Sequence, residues 1–251
     1  MRRSQRRRRG PDAFAGDLVV ASYNIHTCVG VDRRYDPVRV AKVLRELDAD
    51  VIALQEVDAR HRDARHVDQW LFFAQETGLH AIPGPNVRDH RGRFGNALLT
   101  RWPVMAVRQL DLSVHGREPR GAIDADLTIG NRILRVVATH FGLRSPERQH
   151  QTELLLSALE VDDGVKRDGI VIMGDLNEWR GRRGGIPALD RAIGRAPAPR
   201  TFPSWCPLLP LDRIYAGLSA ELAQLAPHRS PLARVASDHL PLKAHLRWRD
   251  G

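Results

Sequence analysis

The feature that most limits the fold of this chain is a series of short apolar, β-branched runs, separated by turn residues or by segments of helical period. Runs of this kind are typical of β-strands. Those within 96–139 follow one another directly, whereas the earlier ones alternate with helical segments. The runs are Leu18–Ser22, Asp50–Leu54, Asn96–Thr100, Ala122–Thr128, Ile133–Thr139, Ile170–Met173 and Leu240–Trp248. This mixture predicts an α/β (α+β) fold in which helices lie outside two packed mixed β-sheets.

Three of the intervening segments predict helices. Pro37–Leu47 begins with proline and places its valines and leucines on one face, and Val67–Thr77 is the second. Ser145–Leu159 is the third, with Ser145 as the expected N-cap before a proline and a glutamate. The Pro- and Arg-rich stretch Arg180–Pro210 is long for a connection inside a compact domain, so we expect a substrate-facing loop there.

The formal net charge of +9 is concentrated at the start of the chain, where six arginines lie within the first ten residues without an acidic neighbour. The rest of the chain is therefore only mildly basic. We interpret residues 1–16 as a solvated, disordered tail and residues 17–249 as one domain. The alternative for the tail is binding to a polyanion such as nucleic acid.

Targeting and membrane signals are weak in this sequence. The arginines are not followed by the apolar segment of a signal peptide, and no apolar run approaches the length of a membrane span. Cys28 and Cys206 do not form a metal-binding spacing. We therefore expect a cytoplasmic monomer with reduced thiols, although one disulfide stays an alternative.

Polar residues stand where the apolar runs stop. A single Asp or Asn at such a place is usually a turn former or a helix cap. His and Glu do not form turns, however, and loops at strand ends are where sites are usually built. The residues concerned are Asn24, His26, Glu56, His140, Asp175, Asn177, Asp212, Asp238 and His239. The pattern predicts one polar site at an edge of the sheets.

The residue types favour hydrolysis assisted by a hard divalent cation. Oxygen ligands such as Glu56 suit Mg²⁺ or Mn²⁺, whereas the sequence has neither HExxH nor a cysteine cluster for zinc. GxxxxGK[ST] is also absent, which excludes a Walker-type nucleotidase. Asp212 with His239 forms a candidate acid–base pair. Ser237 lies outside any GxSxG elbow, so water is the expected nucleophile.

The segments SYNIH, LQEV, GNALLTRWP, ATHFGL, MGDLN, LDRIY and SDHLPL, in this order, resemble the endonuclease/exonuclease/phosphatase superfamily. The resemblance runs from about Leu18 to Leu246 and implies a four-layer α/β sandwich of the deoxyribonuclease I type, with the site at the top of the sheets. EPRGAI and THFGLRSPERQHQ resemble a bacterial branch of uncharacterised members. His26 stands where abasic-site enzymes tend to carry an acid, which argues against that activity.

The resemblance also implies a role for each site residue. Metal binding would fall to Glu56, Asn24 and Asp238, and catalysis to six residues, with Asp175 and Asn177 positioning the attacking water. His239, oriented by Asp212, would act as a base or stabilise charge, and His140 would face the leaving oxygen. Two further residues are expected to bind substrate. The remaining catalytic residue is Glu118, which is expected to pair with His140. The substrate-binding pair is Arg120, a candidate phosphate clamp by its charge alone, and Asn96. The alternative for Glu118 and Arg120 is a surface salt bridge.

The resemblance fixes the reaction better than the substrate. We expect a Mg²⁺-dependent phosphodiesterase or phosphatase that acts on a small or lipid-derived phosphate ester, with Trp179, Trp205 and 207–211 as candidate apolar contacts. The alternative is a nuclease, to which the tail and the arginines Arg180, Arg182 and Arg183 would add affinity for the nucleic-acid backbone. A catalytically silent binding module is a third interpretation.

Overall fold

Two β-sheets, packed face to face, form the centre of the protein. The computed structural model describes residues 18–60, 66–180 and 184–249. The Arg-rich segment 1–16, Arg182 and Arg183 lie outside the described residues. One sheet has six strands in the order β10-β11-β1-β2-β4-β3, and the other has five in the order β5-β6-β7-β8-β9.

Among the described residues, eleven strands and five α-helices have the following bounds. The strands are β1 (Leu18–Asn24), β2 (Val51–Asp58), β3 (His80–Asp89), β4 (Gly92–Thr100), β5 (Val104–Asp111), β6 (Gly121–Ile129), β7 (Arg132–His140), β8 (Gly169–Asp175), β9 (Asp212–Leu218), β10 (Ala220–Pro227) and β11 (Leu242–Trp248). The helices are α1 (Pro37–Leu47), α2 (Gln69–Thr77), α3 (Ser145–Leu159), α4 (Ile186–Ala192) and α5 (Ala233–Ala236).

The buried apolar side chains form three clusters, which define four layers. Successive residues of β1 alternate between two of them: Val19 and Ala21 pack beneath α1 and α2, whereas Leu18 and Val20 pack between the sheets. The third cluster lies beneath α3 and α4 on the outer face of the five-stranded sheet. Because the inner strands are covered on both faces, most of their residues are apolar, and buried charges such as Asp124 and Arg135 are paired with each other. The four-layer α/β sandwich is confirmed.

The predicted elements match this architecture with few corrections. Helices α1 and α3 have the predicted bounds, and α2 begins at Gln69 rather than Val67. Arg144, not Ser145, is the N-cap of α3, and the Glu147 carboxylate accepts from the Arg144 backbone N–H at 3.4 Å. The stretch predicted as one long loop contains α4. Among the described residues, no helix is long and apolar enough to cross a membrane.

The sheet topology brings the polar strand ends to one edge. Strand β1 runs parallel to β2, and β7 runs parallel to β8, so the carboxyl ends of each pair lie side by side. In the five-stranded sheet, His140 is the register partner of Asp175, and Asp175 is the register partner of Asp212. Three residues that are distant in sequence therefore stand in one row across β7, β8 and β9.

Candidate active site

The row on the five-stranded sheet faces the ends of β1 and β2 across a cleft of about 400 Å³. Most of the predicted site residues line it, and Asp212 lies buried behind His239. Polar side chains form its floor and apolar side chains form one wall. The residues that line the cleft are Asn24, Glu56, Glu118, Arg120, His140, Leu143, Asp175, Asn177, Trp179, Phe202, Leu209, Leu211 and His239.

Asn24, the last residue of β1, links two carboxylates on the floor. Its Nδ2 donates to Glu56 Oε1 and to Asp175 Oδ2, both at 3.1 Å. Its Oδ1 accepts from the backbone N–H of His26 at 3.0 Å, which fixes the orientation of the amide. The Glu56 and Asp175 carboxylates therefore lie within two hydrogen-bond lengths of each other, and negative charge accumulates there.

Glu56 reaches this position through an irregularity in its strand. The register between β2 and β4 shifts between Leu54 and Val57, and Glu56 has a φ of 59°. Residues other than glycine rarely adopt this left-handed conformation, and a bulge commonly turns a side chain toward a functional site. The bulge therefore places the Glu56 carboxylate in the cleft, at a cost in backbone energy.

His239 is held against Asp212 in the protein interior. Its Nδ1 lies 2.9 Å from Asp212 Oδ2, which also accepts from Thr201 Oγ1 at 2.6 Å. Its Nε2 lies 3.6 Å from Asp175 Oδ2, and its ring packs against Phe202 with centroids 5.0 Å apart. Burial acts to lower the pKa of His239, but Asp212 and Asp175 raise it to about 10. The imidazole is therefore protonated at neutral pH.

Asp175 stands at the centre of the polar groups. Its Oδ1 accepts from the backbone N–H of Asn177 at 2.9 Å, and its Oδ2 lies 3.6 Å from the Nε2 atoms of both His140 and His239. Burial raises the pKa of Asp175 to about 6. The negative charge of Asp212 also raises this pKa, whereas the positive charge of His239 lowers it. Contacts of 3.6 Å are longer than hydrogen bonds, so both imidazoles can turn an N–H toward an entering oxygen.

His140 is uncharged and adjoins Arg120. Burial lowers the pKa of His140 well below its usual value, and Arg120 and His239 lower it further. Arg120 Nη1 lies 3.3 Å from His140 Nδ1, and Arg120 Nη2 donates to Glu118 at 2.9 Å. We expected Glu118 to pair directly with His140; instead, Arg120 lies between them. Because a guanidinium can only donate, Nδ1 is the acceptor and the ring proton resides on Nε2, toward the cleft.

Asn177 follows β8 in a left-handed conformation, with a φ of 52° that asparagine tolerates better than most residues. Its Nδ2 donates to the carbonyl of Phe141 at 2.9 Å and lies 3.2 Å from His140 Nε2. Because His140 Nε2 carries the proton, it cannot accept a hydrogen bond from Asn177 Nδ2. The remaining N–H of Asn177 is therefore available to an oxygen in the cleft.

Two predicted residues take other positions. Asp238 is partly exposed, accepts from Ser237 Oγ at 3.3 Å and lies 3.8 Å from His26 Nδ1, outside the lining of the cleft. Asn96 is fully buried on β4, and its Nδ2 donates across to the carbonyl of Gly121 on β6 at 3.0 Å. Asn96 thus fastens the two sheets to each other, and the expected contact with substrate is replaced by a structural one.

Comparison with known proteins agrees with this geometry. The sequence model of the Endonuclease/Exonuclease/phosphatase family matches residues 21–239. The chain belongs to this family. Its members are phosphoester hydrolases. Among curated relatives, the uncharacterised protein YbhP of Escherichia coli is 33% identical over 248 residues, which cover 90% of this chain and 95% of YbhP.

Solved structures of this family share the fold. An endonuclease/exonuclease/phosphatase from Beutenbergia cavernae has a TM-score of 0.73 and 23% identity, covering 93% of this chain and 72% of that one. A mannosyl-6-phosphatase from Bacteroides thetaiotaomicron has a TM-score of 0.73, 16% identity and coverage of 92% and 100%. The catalytic domain of human Nocturnin has a TM-score of 0.72, 18% identity and coverage of 93% and 95%. Because each identity is below 25%, these similarities show a shared fold.

Some contacts in the site had no signal in the sequence. Thr201 and Phe202, which contact Asp212 and His239, come from a segment without a helical or strand period. Ser237 Oγ donates to the carbonyl of Asn24 at 2.7 Å and accepts from the backbone N–H of His239 at 3.2 Å. The serine rejected as a nucleophile therefore ties the end of β1 to the loop that carries the histidine.

Proposed function

We propose that the cleft hydrolyses a phosphate ester by attack of water, with a divalent cation, Mg²⁺ or Mn²⁺, as cofactor. The observation that carries the proposal is the convergence of Asn24, His140 and His239 on Asp175, within 3.1–3.6 Å of one carboxylate oxygen. A strand cap would need one such partner. A carboxylate surrounded by an amide and two imidazoles is suited to acid–base chemistry.

The donor set fits a hard cation. Glu56 and Asp175 are close carboxylates joined only through the Asn24 amide, so a positive ion beside them would relieve their repulsion. Glu56 would hold the ion directly through its carboxylate. Asn24, whose Nδ2 faces the two carboxylates, and Asp238, which lies outside the lining of the cleft, would support the ion through its water shell. When bound, the cation would polarise the phosphate oxygens and lower the pKa of a nearby water. A buried group of Asp175, Asp212 and His239 is a second set that could contact an ion, but its atoms already bind one another.

The pKa values divide the acid and base roles. Asp175, with a pKa of about 6, is poised to accept a proton from the attacking water, which Asn177 would help to orient. His239, with a pKa of about 10, would remain protonated and stabilise the negative charge that develops on phosphorus-bound oxygens. Asp212 would keep the imidazolium in place. This assigns charge stabilisation rather than proton abstraction to His239.

The part of the cleft lined by His140 and Arg120 is suited to the leaving group. His140 would direct its Nε2 proton to the leaving oxygen as a neutral hydrogen-bond donor. Arg120 would fix that tautomer and contact the phosphate, because its buried Nε has no hydrogen-bond partner among the described residues. Glu118 would hold the guanidinium in position. His140 and Arg120 would thus both donate to oxygens of the phosphate ester.

Activity measurements with added metal test the proposal. We expect hydrolysis of at least one of bis-p-nitrophenyl phosphate, phospholipids, plasmid DNA or abasic DNA, and loss of that activity in EDTA with recovery in Mg²⁺ or Mn²⁺. Glu56→Gln should raise the metal concentration needed for half-maximal activity, whereas Glu153→Gln, an exposed control on α3, should not. Full activity in EDTA would refute the cation, and exclusive cleavage of DNA would favour the nuclease alternative.

A further inference from the structure

The mouth of the cleft carries large apolar side chains that the proposed chemistry does not use. We call four of them the apolar rim: Leu143, Trp179, Trp205 and Leu208, which are 62%, 39%, 66% and 57% exposed. Single exposed apolar residues are ordinary, but several around one opening indicate a binding surface. Their shared position calls for a partner that is itself apolar.

Three loops build the apolar rim. Leu143 follows β7 and Trp179 follows β8, and both also line the cleft. Trp205 and Leu208 lie on the loop 202–209, whose ends are joined by a β-bridge between Phe202 and Leu209. Phe202 and Leu209 line the cleft. Trp205 therefore lies at the tip of a loop whose base is at the catalytic groups, and Leu208 lies beside that base.

The charges on these loops are of one sign. Arg144, Arg180 and Arg200 are exposed beside the apolar rim. Within 141–146, 178–180 and 200–209, the one carboxylate is Glu178, which is buried and bound to Arg148 at 2.7 Å. Exposed Trp and Leu together with Arg, without exposed acids, complement an anionic lipid surface, where apolar groups enter the acyl region and arginines contact headgroups.

We propose that the apolar rim docks on an anionic phospholipid surface and that the cleft takes a phosphate ester held in that surface, an inference about substrate class that rests on the proposed function. Single-stranded nucleic acid suits the surface less well. Base stacking needs free aromatic faces, but the guanidinium carbons of Arg148 and Arg180 lie 5.5 and 5.7 Å from the centre of the Trp179 ring. Leucines provide no stacking surface.

Co-sedimentation with vesicles tests the docking without any catalytic readout. The vesicles contain phosphatidylcholine alone or an equimolar mixture with phosphatidylglycerol. We expect the full chain to sediment with the mixed vesicles, and a Trp205→Ser, Leu208→Ser double variant to bind about tenfold more weakly. Leu218→Ser is the matched control, because Leu218 is 56% exposed at the opposite end of β9 from Asp212. It should bind like the unmodified chain.

Three results would overturn the proposal: no sedimentation of the unmodified chain, equal weakening in the double variant and in Leu218→Ser, or equal binding to both vesicle types at low salt. Binding to single-stranded DNA that the double variant loses, without vesicle binding, would assign the apolar rim to nucleic acid instead. Turnover of bis-p-nitrophenyl phosphate on the same samples tests the proposed function separately, since that ester is soluble and needs no surface.

Discussion

The pair of Asp212 and His239 offers the sharpest test of the proposed chemistry. Asp212 is completely buried and His239 nearly so, and they share a hydrogen bond of 2.9 Å. Breaking a buried ion pair by removing one partner costs about 3–5 kcal/mol. The substitutions Asp212→Asn and His239→Gln retain the size of each side chain, and Thr201 can still bond to residue 212, so we expect about half of that loss.

Turnover and stability should respond differently to the two substitutions. Each single variant should lose about 10²–10³-fold in turnover, the usual contribution of one group that stabilises charge in the transition state. The double variant should be within about tenfold of the worse single variant, because residues that act as a unit are strongly non-additive. Melting temperatures should fall by about 3–10 °C, given ~2–4 °C per kcal/mol for a chain of this size.

The pH dependence of stability adds a second readout of the same pair. The pKa of His239 is raised in the folded state, so the stability it contributes is present below its ordinary pKa and is lost as pH rises toward about 10. The difference in unfolding free energy between pH 7 and pH 10 should therefore shrink in Asp212→Asn. Urea unfolding at both pH values measures this difference.

A control variant separates catalysis from stability in this experiment. Asp168→Asn alters a partly buried carboxylate that accepts from the backbone N–H of Ile133 at 2.7 Å, at the opposite end of β8 from Asp175. It should lower the melting temperature while turnover per folded molecule stays unchanged. Folded, fully active Asp212→Asn and His239→Gln would refute the catalytic assignment, and strictly additive losses in the double variant would refute the pairing.

Further predictions concern three other positions. Arg120→Lys should lower kcat about 10- to 100-fold with a smaller effect on melting temperature, because lysine cannot contact His140 and a phosphate together; steady-state kinetics would show this, and unchanged kcat would contradict it. Arg135→Met should move acid unfolding to higher pH. Burial raises the pKa of Asp124, but Arg135 lowers it below the usual range. The stability that this ion pair contributes is therefore present above the ordinary pKa of aspartate and is lost as pH falls through the folded pKa. Circular dichroism during acid titration measures the midpoint, which would stay in place if Arg135 were dispensable. Glu56→Gly should abolish metal-dependent activity yet raise stability by about 1 kcal/mol, since glycine adopts the left-handed conformation without strain; a lower melting temperature would contradict the strain.

The strands found from sequence are the interior strands of the two sheets, and those that were missed are the edges. Strands β10 and β3 end one sheet, and β5 and β9 end the other. Edge strands are less covered, so their sequences lack continuous apolar runs. His80–Asp89 even contains two prolines, which a sheet tolerates at its edge. Burial on both faces made the interior strands recognisable from their sequence.

The site residues also divide into those that the sequence predicts and those that it does not. Residues at the ends of interior strands, such as Asn24, His140 and Asp175, were predicted because an imidazole or carboxamide after an apolar run is unusual. The bulge that turns Glu56 into the cleft depends on the partner strand and leaves no local signal. Thr201 enters from a segment whose path is set only by tertiary contacts. Asn96 lies outside the lining of the cleft, and a strand residue that bonds across two sheets looks the same in sequence as one that faces a ligand.

Two left-handed residues and one unsatisfied carboxylate oxygen lie at the site. Glu56 and Asn177 are left-handed, and Asp212 Oδ1 is buried without a hydrogen-bond partner among the described residues. Each feature costs stability, and each persists because the surrounding packing holds the adjoining backbone in place. A site fixed in this way need not reorganise as charge develops on the phosphate, which is how preorganised dipoles and charges lower a barrier. The two halves of the cleft belong to different sheets, so the packing between the sheets sets the distance between them. That packing therefore contributes to catalysis as well as to folding.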